Sequence, residues 1–279
     1  MNSTKETKDI SYTDTYTITF CESAENHKGM QQIGNIASEG FTCRELKNIK
    51  KIFKKKGVKC KLIKLQKLLE ENNDEIPYAD DENNHDIKKP EQASLLIIRG
   101  GVNELLSNID KNAYDLYKEH KNLNYDSKAF MYGRVVNKHA RHNLCFADES
   151  QESAYEDKKG TVVNFDSIHL TKEIRKQLPL YTNEKASKLV AEGNYYYNSD
   201  KCFIGWHGDS ERKKVIALRL GADFYIKYQW YYKTKAVGRM LSIKLKHGDM
   251  YIMSEKAVGT DWKTRNKYTL RHSASSKKE

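Results

Sequence analysis

The chain is poor in the features that mark several protein classes. Only three of its 279 residues are proline. Although 31% are charged, enough Tyr, Leu, Ile and Val remain to fill a core, which argues against wholesale disorder. The five cysteines (Cys21, Cys43, Cys60, Cys145, Cys202) are scattered, odd in number and without a C-x-x-C pair. That pattern argues against a disulfide framework or a zinc ribbon and points to a reducing compartment. No apolar run approaches the roughly 18 residues of a membrane span, and the polar start Met1-Asn2-Ser3-Thr4-Lys5 does not read as a signal peptide. The expectation is a soluble intracellular protein of the cytoplasm or nucleus, with no membrane partner. There is no internal repeat, and nothing in the sequence bears on oligomeric state.

Positive charge is what the chain has in excess. Its 49 Lys and Arg against 38 Asp and Glu give a formal net charge of +11, which favours a polyanionic partner through steering and counterion release. On this ground a nucleic acid, DNA or RNA and single strands included, stands as the candidate partner, beside the plainer reading of a Lys-rich surface that keeps the protein in solution. Residues 43–56 carry Leu46, Ile49, Ile52 and Phe53 at helical spacing, with Gly57 as a stop. The lysines of this helix (Lys47, Lys50, Lys51, Lys54, Lys55, Lys56) either meet phosphates or form a solvated face, the plainer reading.

Around this helix, residues 15–20 and 58–65 read as strands, 67–71 as part of a short helix, and 94–99 as a buried strand ending at Gly100-Gly101. Residues 72–90 are acidic, Asn-rich and poor in apolar side chains, as expected of a linker. Residues 102–119 suggest one amphipathic helix, with Leu105, Leu106, Ile109, Tyr114 and Tyr117 on its apolar side. From about residue 130 the pattern changes to short strands broken by Gly and Asp turns, at 134–136, 160–165, 202–206, 214–220, 224–231, 240–245, 250–253 and 267–271. Closely spaced strands of this kind suggest a closed or double-layered β architecture. Two helices, at 168–178 and 183–192, are expected to lead into it.

The chemistry centres on the run Phe203-Ile204-Gly205-Trp206-His207-Gly208-Asp209-Ser210-Glu211. A His and a carboxylate two residues apart on a strand share a face and can close on one metal ion. Two histidines and one carboxylate on one side of Fe(II), with positions left open, form the facial triad of non-haem iron oxygenases. After Asp209 only His247 and His272 remain as a third ligand. His247 lies in the turn Lys246-His247-Gly248-Asp249 and reads as structural. His272 follows the strand-like Tyr268-Thr269-Leu270-Arg271 and is the chosen ligand. Upstream, Tyr197 lies ten residues before His207, either reaching the cavity or joining an aromatic stripe. Trp262, Arg265 and Arg271 cluster later in the chain, and a guanidinium facing a cavity binds a carboxylate bidentately.

Residues 194–211, the strand at 214–221, the stretch 247–254 and the pair Arg265-x5-Arg271 together resemble the AlkB-like branch of the 2-oxoglutarate- and Fe(II)-dependent dioxygenases. The resemblance covers roughly residues 130–279. It implies an α+β fold: a double-stranded β-helix (jelly-roll) core with flanking helices and an N-terminal α/β extension. It further implies Fe(II) held by His207, Asp209 and His272, with 2-oxoglutarate as cosubstrate and O2 as oxidant. Tyr197, Arg265 and Arg271 are then the cosubstrate-binding residues. Such enzymes convert 2-oxoglutarate to succinate and hydroxylate a C–H bond, in the best-known members a methyl group on a nucleobase. The chain departs from the family pattern in having no histidine between Gly248 and Arg265. With His272 as the distal ligand, Arg265 and Arg271 cannot both keep their family roles, and Lys277, Lys278, Lys227 and Arg219 also stand as anchors for the distal carboxylate.

The dense polar and aromatic segment 131–148 occupies the place of the family's substrate loop. Arg134, Lys138, His139, Arg141 and His142 are its candidate phosphate contacts, and Tyr132 or Phe146 its candidate stacking ring. The resulting division is an N-terminal α/β region at 1–105, of unknown role and with the acidic linker, and a dioxygenase domain at 106–279. Within the latter, 131–165 is a candidate substrate lid and 194–279 the metal-binding core. Two further readings stay open: the same chemistry on a protein or small molecule, or a catalytically silent nucleic-acid-binding member of the fold.

Overall fold

The computed structural model describes residues 11–70 and 89–278. The expected acidic linker at 72–90 therefore lies outside the described residues, save its last two. In chain order, β1 (Thr15–Cys21) leads into a small hairpin of β2 (Ser23–Glu25) and β3 (Gln32–Gly34), then α1 (Cys43–Lys55), β4 (Cys60–Lys64) and the single turn α2 (Lys67–Glu70). Next come β5 (Ser94–Ile98), α3 (Gly101–Leu106), α4 (Ala113–Lys121), a hairpin of β6 (Lys128–Met131) and β7 (Arg134–Asn137), β8 (His142–Ala147) and β9 (Val162–Asn164). Helix α5 (His169–Tyr181) precedes β10 (Val190–Tyr196), β11 (Phe203–His207), β12 (Val215–Gly221) and β13 (Phe224–Tyr232). The described part closes with β14 (Lys235–Leu245), β15 (Met250–Met253), α6 (Glu255–Val258) and β16 (Thr269–Ser275).

Two sheets carry the structure. The larger has eight strands in the order β4-β5-β15-β12-β1-β10-β8-β9, and the smaller four in the order β11-β16-β13-β14. All neighbours are antiparallel except β8 and β9. Strand alternation sends successive side chains to opposite faces. From β12, Ile216, Leu218 and Leu220 join a core with Leu46 and Phe53 of α1, Leu116 of α4 and Ile174 of α5. Val215 and Ala217 turn the other way and pack with Ile226, Tyr228, Trp230 and Leu270 of the smaller sheet. The result is three layers: helices, large sheet, small sheet. Helix α1 docks by Leu46, Ile49 and Phe53, and a capping box of Thr42 and Glu45 satisfies its first turn.

The fold is thus mixed and sheet-rich with a many-stranded antiparallel sheet, and it corrects three expectations. The helix expected at 102–119 is broken: α3 gives way to a 3-10 turn at Ser107–Ile109, and α4 restarts after Asn112. The Asn112 side chain accepts from the backbone N–H groups of Tyr114 and Asp115, a local bond that competes with helix continuation. The helix expected at 183–192 is only a 3-10 turn at Glu184–Ala186, because β10 takes the rest into the centre of the large sheet. The boundary at 105/106 does not separate two folded bodies in the way expected. β1, β4 and β5 all belong to the large sheet, and β1 pairs with β12 on one side and β10 on the other.

Candidate metal centre

His207 ends β11 and sits opposite His272 on β16 in the strand register. Asp209 lies just beyond β11 rather than on it, in a loop whose course is set by close backbone contact. Its N–H donates to the Val258 carbonyl at 3.1 Å, and a Cβ on Gly208 would come within 2.1 Å of the Gly259 carbonyl oxygen. Only glycine fits between the two residues. One Asp209 oxygen, Oδ1, lies 3.3 Å from His207 Nε2 and 3.6 Å from His272 Nε2. One ligand atom from each of the three residues can be chosen so that all lie within 4.8 Å of one another.

The protonation states suit a ligand set. His207 Nδ1 is 2.7 Å from the Gly205 carbonyl, which can only accept, so Nδ1 carries a proton and Nε2 is the atom turned to the centre. Burial alone would raise the Asp209 carboxyl pKa. The charge of His272 in its protonated form and that of Arg212, with hydrogen bonds from the two rings when they carry the proton, outweigh it and hold the group well below the usual carboxylate range. Burial, then the neighbouring His207, pushes the His272 pKa down and favours the neutral ring. Behind Asp209, the buried Arg212 bonds Glu192, and Glu211 at 2.6 Å, and reaches the Cys21 sulfur at 3.4 Å. A carboxylate and two imidazoles converging from one side match the donor set of a divalent metal site with open positions.

The three side chains stand where two hollows meet. The inner one runs between the sheets and is lined by Thr17 and Thr19 of β1, Asn194 and Tyr196 of β10, and Arg219 of β12. The outer one opens to solvent past Trp206, Trp262, Glu25, Lys28 and Arg141. Burial raises the Glu25 carboxyl to about 7, against a hydrogen bond from the Gly29 N–H.

Several expected site residues lie elsewhere. Tyr197 is 37% exposed, donates its hydroxyl to the His139 carbonyl and packs on His142. Its neighbour Tyr196, 3% exposed, lines the inner hollow instead. Arg265 is exposed. Arg271 alternates with His272 and so faces away, its guanidinium over Tyr231 and Trp262. Phe146 is wholly buried against His120 and Phe165 and is not free to stack on a base. Lys138 is buried with its ammonium bonded to Asn26 and Asn143, an internal pin rather than a phosphate contact. Tyr132, 89% exposed at the tip of the β6–β7 hairpin, and Arg134 and His139 point to solvent. Of the segment's candidates, Arg141 alone lines the outer hollow, bonded to Asn194 at 2.6 Å. His247, read as structural, accepts from the Gly221 N–H and stacks on Tyr12.

Sequence reasoning missed Asn194, Tyr196, Thr17, Glu192 and Arg212. The spacing Asn194-x-Tyr196 carried the signal, since residues two apart share a strand face, but it reads so only if Val190–Tyr196 is recognised as a strand.

No protein-family model matches the chain. It is 44% identical over 259 residues to "Uncharacterized protein R156" of Acanthamoeba polyphaga mimivirus, an alignment that spans 93% of this chain and 94% of that protein. The similarity runs nearly end to end in both, and the chain belongs to the same protein family as that mimivirus protein.

Proposed function

We propose that the protein is an Fe(II)- and 2-oxoglutarate-dependent oxygenase of the AlkB-like kind, which demethylates or hydroxylates a nucleic acid base. The observation that carries this reading is the convergence of His207, Asp209 and His272 from two strands and a loop onto one point, at the meeting of an inner and an outer hollow. The sheet order supports it. Four strands, β15-β12-β1-β10, face four others, β11-β16-β13-β14. Two facing antiparallel sheets with the ligands between them are what a jelly-roll oxygenase requires, with β1 filling the place between β10 and β12.

Fe(II) with 2-oxoglutarate and O2 would supply the oxidising power to insert oxygen into a C–H bond, leaving succinate and CO2. The chain's own groups do the holding. His207 and His272 present their Nε2 atoms, Asp209 presents an ionised oxygen, and Arg212 helps to keep that oxygen ionised. Asn194, Tyr196 and Thr17 offer hydrogen bonds to a polar cosubstrate in the inner hollow, away from solvent. The outer hollow, walled by Trp206 and Trp262, admits a planar group, and a base within a duplex would have to be flipped out to enter.

A nucleic acid is favoured by how the charge is spread: residues 46–69 hold ten lysines and no Asp or Glu. The carboxylates at the mouth (Glu25, Glu192, Glu211) favour the second reading, a protein or small-molecule substrate with cationic or N–H groups. Binding of a single-stranded oligonucleotide across a salt series separates the two. Steep loss of affinity with salt supports the first, and absence of binding at low salt supports the second. The chemistry itself is tested by adding Fe(II) and 2-oxoglutarate without oxygen. A weak visible charge-transfer band is expected in the wild type and not in His207→Ala, Asp209→Ala or His272→Ala. The reading fails if the wild type shows no band and forms no succinate with O2.

A further inference from the structure

We infer that Arg219, on β12, takes the far carboxylate of the dicarboxylate cosubstrate, in a chamber walled by the N-terminal strand β1. This rests on the oxygenase reading above and names where its cosubstrate is anchored. Arg219 is 1% exposed, in a strand buried along its whole length. A buried guanidinium is costly unless a counter-charge meets it. Among the described residues no carboxylate lies within ion-pair distance of it. One Nη donates to the Thr17 hydroxyl, and Nε is buried with no partner. Arg212, as deeply buried in the same chamber, is met by Glu192 and Glu211. The fold supplies counter-ions to one buried arginine and withholds them from the other.

The missing counter-charge has a place to sit. In strand alternation Arg219 follows Val215 and Ala217 onto the face that looks at the small sheet. It shares the inner hollow with His207, Asp209 and His272. In the register Thr17 of β1 lies beside Arg219 on one side and Asn194 of β10 on the other. The next inward-facing row is Ala217, Thr19 and Glu192, and Glu192 is the residue bonded to Arg212 behind Asp209. The two rows are two residues apart, about 7 Å along the strands, which suits a five-carbon dicarboxylate with one end at the metal ligands and the other at Arg219. The inner face of β1 is itself informative. Thr15, Thr17 and Thr19 point to the protein interior while Tyr16, Ile18 and Phe20 pack toward the helices. A polar stripe turned inward lines a chamber for a polar guest.

The other basic candidates are placed elsewhere. Arg271 is stacked on rings outside the small sheet, Arg265, Lys277 and Lys278 are exposed, and Lys227 lies on the strand face opposite the cavity-lining Ile226.

The test compares 2-oxoglutarate with pyruvate, which keeps the 2-oxo acid and lacks the far carboxylate, by anaerobic titration of the Fe(II)-loaded protein. The wild type is expected to prefer 2-oxoglutarate. Arg219→Met should lower 2-oxoglutarate affinity roughly 10- to 100-fold, as loss of charged hydrogen bonds does, and leave pyruvate affinity unchanged. Arg219→Lys should recover part of the preference. The visible spectrum of bound Co(II) should be the same in wild type and variants, which separates a lost anchor from a lost metal site. An unchanged 2-oxoglutarate-to-pyruvate ratio in Arg219→Met overturns the proposal. Should that variant not fold, Thr17→Val carries the test: a drop in 2-oxoglutarate affinity without change for pyruvate supports the anchor, and no drop overturns it. A wild type that binds Co(II) yet does not distinguish the two acids also overturns it, whereas failure to bind Co(II) at all sinks the oxygenase reading instead.

Discussion

At the scale of single residues, the geometry of the centre depends as much on what is absent as on the ligands. Gly208 lets the chain pass against the Gly259 carbonyl, and a methyl group there would stand 2.1 Å from that oxygen. A backbone-to-backbone clash of this kind cannot be relieved by a side-chain rotation, so the loop must move and take Asp209 with it. Gly208→Ala is therefore expected to weaken divalent-metal affinity by at least about tenfold, since a ligand displaced by a fraction of an ångström loses its place, although no ligand is altered. Isothermal titration with Co(II) checks this, and unchanged affinity would refute the account of the loop. The candidate ligands His207 and Asp209 were legible in the sequence because H-x-D is a local spacing. The role of Tyr197 was not, because choosing between Tyr195, Tyr196 and Tyr197 requires knowing which face of β10 looks inward.

At the scale of elements, polar side chains decide where helices stop and how they are tied together. Asn112 caps the start of a new helix, α4, after α3 has ended at Leu106, which is why an unbroken apolar spacing over 102–119 misled. His120 near the end of α4 bonds Tyr125 through Nδ1 and Thr171 at the start of α5 through Nε2, both at 2.9 Å. Burial lowers its pKa to about 3. The folded protein thus keeps this ring neutral, while the unfolded chain takes up a proton near the ordinary value of about 6.5. The associated stability is fully present above that value and is lost as pH falls from there toward about 3, amounting to a few kcal/mol over the window. NMR is expected to show no titration of the His120 ring between pH 8 and 5, and the urea midpoint should fall as pH drops below about 6.5. A ring that titrates near its ordinary value would contradict this.

At the scale of the whole molecule, the main surprise is the position of the N-terminal strand. Residues 1–105 looked like an addition to a later domain, yet β1 lies between β12 and β10 in the middle of the large sheet. It carries Thr17 and Thr19 into the hollow beside the candidate ligands. Removing it would leave facing edges on β10 and β12 unpaired and open the core to water. A fragment spanning residues 106–279 is expected not to fold cooperatively, as read by the loss of a sigmoidal urea transition and of near-ultraviolet circular dichroism. Cooperative unfolding of that fragment would restore the two-part division.

What the sequence determined by itself is local. It held the H-x-D pair, the docking face of α1 and most strands of the second half, because each is written in spacings of two to four residues. The tertiary structure alone decided which tyrosine of 195–197 lines the hollow, which arginine is buried without a counter-charge, and that the first strand completes the sheet of the last. Those outcomes depend on pairings between residues far apart in the chain, such as Thr17 with Asn194 and Arg219. Backbone hydrogen bonding across strands is indifferent to sequence distance, so no local pattern announces it.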